Sequence, residues 1–125
     1  VSACLAGCGL NVELPDLFQI TRTGQGTKLT MVVNDSGALS CNGGKEKTIS
    51  SPMLIQARDL SDNLANDATA NLRIAPTSGT LFYFRIRMQH GTIEFPDRAA
   101  ATHEVLAEAE LFATQAAQQV CGLGG

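Results

Sequence analysis

The chain has no tryptophan and a single tyrosine, and its aromatic fraction is only 5%, too little to lay out a stacking platform for sugar rings. Lysine and arginine are also few. Nine basic residues face twelve acidic ones, for a formal charge of -3, and the cations are scattered along the chain. Nucleic acid is therefore not an expected partner, because phosphate binding draws most of its affinity from clustered cations. Apolar residues never run for the roughly 18 positions that a membrane-crossing helix requires. A G-x-S-x-G nucleophile elbow is missing, so a serine hydrolase of that type has no support. There is no internal repeat and no low-complexity tract.

What remains is 125 residues, 44% hydrophobic and 17% charged, which matches one folded domain with one apolar core. Of the four cysteines, Cys4 and Cys8 lie close together, Cys41 stands alone and Cys121 is near the end, so the two close pairs of a zinc ribbon are not there. His103-Glu104 begins like the H-E-x-x-H zinc motif, but Ala107 occupies the place of its second histidine, which leaves a solvated pair at a helix start. His90 falls in a turn. Thr23-Gly24-Gln25-Gly26-Thr27-Lys28 has the glycines of a phosphate loop, yet it leads into a strand where a Walker loop leads into a helix. Cys41-Asn42-Gly43-Gly44 would set a thiol beside a backbone anion nest, without a nearby histidine to form the thiolate. Asp35, Asp59, Asp97 and Glu104 each fall where a turn, a helix surface or a helix cap accounts for a carboxylate. No catalytic residue, metal or cofactor is expected, and the chain reads as a non-enzyme.

The local patterns predict an α+β fold. Leu17 to Thr23 alternates, with Phe18 and Ile20 on one face, and Thr27 to Asn34 is rich in β-branched residues, so both read as strands. Gly24-Gln25-Gly26 joins them as a hairpin turn, and Asn34-Asp35-Ser36-Gly37 turns into a short third strand, Ala38 to Asn42. Ser50-Ser51-Pro52 is a helix start, and the apolar stripe of Leu54, Ile55, Leu60, Leu64 and Ala68 carries that helix to about Asp67. Asn71 to Ile74 reads as a short additional strand. Thr80 to Met88 is the clearest strand, with Phe82, Phe84, Ile86 and Met88 facing one way and Tyr83, Arg85 and Arg87 the other. Gln89-His90-Gly91 turns it into Thr92 to Phe95. A helix from about Thr102 to Val120 follows, stopped by Gly122. The order β-β-β-α-β-β-α implies an antiparallel sheet of about five strands with both helices packed on one face.

Leu5-Ala6-Gly7-Cys8, followed by Gly9, resembles the lipobox of bacterial lipoprotein signal peptides. In that family the cysteine thiol receives a diacylglycerol and the chain is cut just before it. Only Val1 to Cys4 stand upstream of the motif, so residues 1–8 read as the remnant of a truncated signal. Residues 9–16 then read as a tether and 17–125 as the domain. The resemblance implies that Cys4 is removed and Cys8 lipidated. Cys41 and Cys121 are then left to pair in an oxidising compartment, the alternative being two buried thiols. With its size, this makes the chain similar to small secreted lipoproteins of actinobacterial type, a likeness that brings no activity with it.

The function this implies is a non-catalytic, lipid-anchored binding domain on the outer side of the cytoplasmic membrane, or a secreted one, with an envelope protein or ligand as partner and Cys8 as its attachment to the membrane. Its expected contact surface is the sheet face away from the helices, with Tyr83, Arg85 and Arg87 and, as neighbours, Lys28, Thr30 and Glu94. The alternative for that face is a wet surface with cross-strand charge pairs between Arg85 or Arg87 and Glu94. A second reading is a protease inhibitor. The early Arg22-Thr23-Gly24 hairpin and the later strands LFYFRIRM and TIEF before a final helix are similar to emfourin-type inhibitors of metalloproteases, in architecture and without any inhibitory residue to transfer.

Overall fold

A computed structural model describes residues 15–123; the signal remnant, Cys8 and most of the expected tether lie outside these described residues. The chain forms β1 (Phe18–Gly24), β2 (Thr27–Val33), β3 (Ala38–Cys41), β4 (Lys47–Thr48), helix α1 (Ser51–Thr69), β5 (Tyr83–Met88), β6 (Gly91–Pro96), a 3-10 turn (Asp97–Ala101) and helix α2 (Glu104–Gln119). The strands make one antiparallel sheet of six in the order β4-β3-β2-β1-β5-β6. This is the α+β architecture that the patterns imply, with both helices on one face.

Turn chemistry explains the meander. Gln25 and Gly26 both adopt positive φ, 54° and 74°, the geometry of a two-residue hairpin loop whose twist matches that of its strands. Asn34 and Ala38 close the next turn through a backbone bond of 3.0 Å, with Gly37 at φ 91°. Ser50 caps α1 by accepting the Met53 amide at 3.3 Å, with Pro52 in the first turn. Two close backbone approaches demand glycine. A Cβ on Gly24 would run into the Leu81 carbonyl oxygen, and one on Gly91 into that of Ala68.

The alternating apolar residues of β1, β2, β5 and β6 meet the helix stripes in one buried cluster. Phe18 packs edge-on against Phe112 with ring centroids 5.5 Å apart, and Phe84 stacks on Phe95 at 5.2 Å. The first pair fastens α2 to β1. Between the helices, Gln56 donates to Gln115 at 3.0 Å and Asn63 to Glu108 at 3.3 Å.

The structure departs from the expected elements in three places. A sixth strand, β4, is only two residues long and pairs with β3; a run of Lys-Thr carries no periodicity that would announce it. Residues 71–74 make a single parallel bridge, Arg73 to Glu94, beside β6, because Leu72 and Ile74 exchange backbone bonds with Glu94 and go no further. The clearest strand begins at Tyr83 rather than Thr80, since the Leu81 and Phe82 amides turn to the Asp97 carboxylate.

Candidate functional site

The register gathers the six expected face residues on one side of the sheet. Thr23 lies between Lys28 and Tyr83, and on the next rung Thr21 lies between Thr30 and Arg85, which in turn pairs with Glu94. Lys28, Tyr83, Arg85 and Glu94 line a shallow hollow of about 230 Å³ with Thr21 and Thr23. Thr30 borders it through a contact of 3.4 Å between its hydroxyl and that of Thr21. Arg87 lies one rung beyond, opposite Gln19 and Thr92.

Several of these groups are already engaged within the fold. Glu94 bridges two cations, Arg73 Nε at 3.2 Å and Arg85 Nε at 3.0 Å, and the Tyr83 hydroxyl donates to the Ile74 carbonyl at 2.9 Å. Both arginines are more than half exposed, so each pair contributes only about 0 to 1 kcal/mol. Lys28 and Arg87 make no ion pair among the described residues. Among the described residues the face therefore sets Lys28, Arg73, Arg85 and Arg87 against the Glu94 carboxylate, a cationic patch on a chain of net charge -3.

The motifs set aside on spacing are accounted for by structure. Cys41 is bonded to Cys121, so it presents no thiol, and the glycines after it form a turn in which the Gly44 amide reaches the Cys41 carbonyl. His103 precedes α2, with Nδ1 3.0 Å from the Thr102 hydroxyl. Among the described residues no group of three or more histidine, cysteine, aspartate or glutamate side chains could hold a metal ion. None of their helices is long and apolar enough to cross a membrane.

Two features are not among the residues expected from the sequence. The first is Arg22. It continues the alternation of Phe18 and Ile20 onto the helix side of the sheet and is only 7% exposed; that alternation was the signal for it. Its guanidinium lies 4.8 Å from the centre of the Phe82 ring, its Nε is buried without a hydrogen-bond partner among the described residues, and it lines a hollow of about 480 Å³ at the hairpin end of the sheet.

The second feature is a pair of acids. Asp97 Oδ2 accepts the Leu81 and Phe82 amides at 3.3 Å each, whereas Asp97 Oδ1 and Glu110 Oε2 are buried with no partner among the described residues. Burial, and after it the charge of Asp97, raise the Glu110 carboxyl from 4.5 to about 7. No local pattern announces this, because the two acids are brought together by packing. A raised carboxyl binds its proton more tightly in the folded state than in the unfolded one. Its contribution is therefore fully present below about pH 4.5 and is lost as pH rises through about 7. Discounted for the solvent that still reaches the side chain, the loss is on the order of 1 kcal/mol. Glu110→Gln is expected to flatten the fall in melting temperature between pH 5 and 8 and to raise the value at pH 8. Unfolding curves across that range check it, and an unchanged slope would refute the assignment.

No protein-family model, no curated protein and no solved structure matches the chain.

Proposed function

We propose that the chain is a non-catalytic binding domain outside the cytoplasm, held at the outer side of the cytoplasmic membrane by a lipid on Cys8, with an acidic envelope component as its partner. The observation that carries this reading is the Cys41–Cys121 disulfide, which closes a loop across a sequence separation of 80. Such bonds form and persist in oxidising compartments. The sequence Leu5-Ala6-Gly7-Cys8 supports the anchor, and the cationic sheet face supports the choice of partner, since charge complementarity steers encounter and excludes like-charged surfaces.

The test is detergent-phase partitioning of the protein from its own cell envelope, followed by mass spectrometry. The native chain is expected in the detergent phase with diacylglycerol on Cys8, and Cys8→Ala in the aqueous phase. An unmodified Cys8 still joined to residues 1–7 would end the anchor. For the contact surface, Lys28→Glu with Arg87→Glu is expected to abolish crosslinking to the partner while leaving the far-UV circular dichroism unchanged. Both side chains are exposed, so the fold should tolerate the reversal.

A further inference from the structure

We propose that the hollow beside Arg22 is a binding site for a small organic carboxylate with an apolar body. The inference goes beyond the cationic sheet face, because Arg22 projects to the helix side of the sheet. It is also independent of the lipid anchor.

Arg22 is only 7% exposed, and its Nε is buried with no hydrogen-bond partner among the described residues. A guanidinium cannot shed its proton to escape burial as a lysine can. Phe82 covers one face of the group at 4.8 Å, and a cation–π contact of that kind leaves the N–H edge to find its own acceptors. The Nε has none among the described residues, and their ion pairs use Arg58, Arg73 and Arg85 instead. Buried donors without partners are rare in folded proteins, because each forfeits its hydrogen bond to water. An acceptor arriving from outside removes that penalty.

The hollow defines which acceptor fits. Its volume of about 480 Å³ lies in the range of small-molecule sites. Leu29, Phe82 and Leu123 supply apolar wall, and Lys28 and Asn42 supply a second cation and an amide at the rim. A planar carboxylate presents two oxygens to the edge of a guanidinium, and its hydrocarbon body displaces water from the apolar wall. A bare tetrahedral anion would leave that wall wet. The position is architectural: β2 sets Leu29, the residue after Lys28, opposite Arg22, and the β1 to β5 pairing sets Arg22 opposite Phe84, two residues from Phe82.

The experiment is a titration of the ¹⁵N-labelled chain with hexanoate and N-acetyl-leucine, which offer the same carboxylate on an alkyl or a peptide-like body. Neutral N-acetyl-leucinamide and inorganic phosphate serve as references. Saturable shifts are expected at the Leu29, Asn42 and Phe82 amides with the carboxylates, and both references should bind at least about tenfold more weakly. Whichever carboxylate binds more tightly identifies the alkyl or the peptide-terminal source. Arg22→Gln should weaken binding by about tenfold or more, and Lys28→Gln by about threefold, whereas Arg58→Gln on α1, paired with Asp35, should leave it unchanged. No saturable shift with either carboxylate, or equal affinity for the amide or for phosphate, overturns the proposal. The comparison of acid with amide uses the native chain, so it decides the matter even where Arg22→Gln does not fold. Partitioning into detergent has no bearing on this titration, and the two readings fail separately.

Discussion

Removing the Cys41–Cys121 bond is expected to lower the melting temperature by about 6 to 20 °C. The bond closes a loop across 80 residues, and the loss of chain entropy in the unfolded state that this implies is on the order of 4 kcal/mol, reduced to about 2 to 4 by any strain in the folded state. For a domain of this size each kcal/mol moves the transition by roughly 3 to 5 °C. The bond also has a specific mechanical role. It ties the end of β3 to the residues just past α2, where Lys47 of β4 already holds the Val120 carbonyl at 2.9 Å. Without the covalent link, that exposed hydrogen bond and the packing of Val120 against the core are left to keep the end of the helix on the short edge strands. Calorimetry of the double variant Cys41→Ser, Cys121→Ser against the native chain is the measurement, and a shift under about 3 °C would mean that the bond constrains little.

Phe112→Ala should cost more than any other single truncation on α2, about 3 to 5 kcal/mol. Phe112 is fully buried and meets Phe18 edge-on at 5.5 Å, a geometry that adds about 0.5 to 1.5 kcal/mol beyond the area buried. Domains of this kind have roughly 5 to 15 kcal/mol in all, so the variant loses a large share of its stability. Its neighbour is the control: Leu111 is 55% exposed, and Leu111→Ala should change stability by no more than about 0.5 kcal/mol. In urea the midpoint should fall for Phe112→Ala without a change in slope. Equal effects at the two positions would show that α2 is not seated on the sheet as described.

The two acids and Arg22 show how a site can hide from sequence. Asp97 reads as a cap or surface carboxylate, and at the start of the 3-10 turn it is in fact drawn back to the amides of residues 81 and 82. Glu110 lies within an otherwise ordinary helix stripe. Arg22 is different, because the alternation that buries Phe18 and Ile20 also places it inward; a charged residue in that register was legible as a misfit. Its surroundings were not, since Phe82 lies 60 residues away along the chain and Leu123 more than a hundred.

Alternation and turn residues by themselves determined the first hairpin, the second turn, both helices and the β5 to β6 hairpin. Each depends on interactions within a few residues: positive φ at Gln25 and Gly26, the Ser50 cap, and side chains that alternate every second position or recur every third or fourth. Only the tertiary structure decided that β1 pairs with β5 and that a two-residue β4 closes one edge. Those choices set partners far apart in the chain, where the cost of closing a loop grows slowly with its length and many pairings compete on nearly equal terms. What selects among them is the shared burial of Phe18, Phe84, Phe95 and Phe112 under two helices, a quantity that no short window of sequence contains.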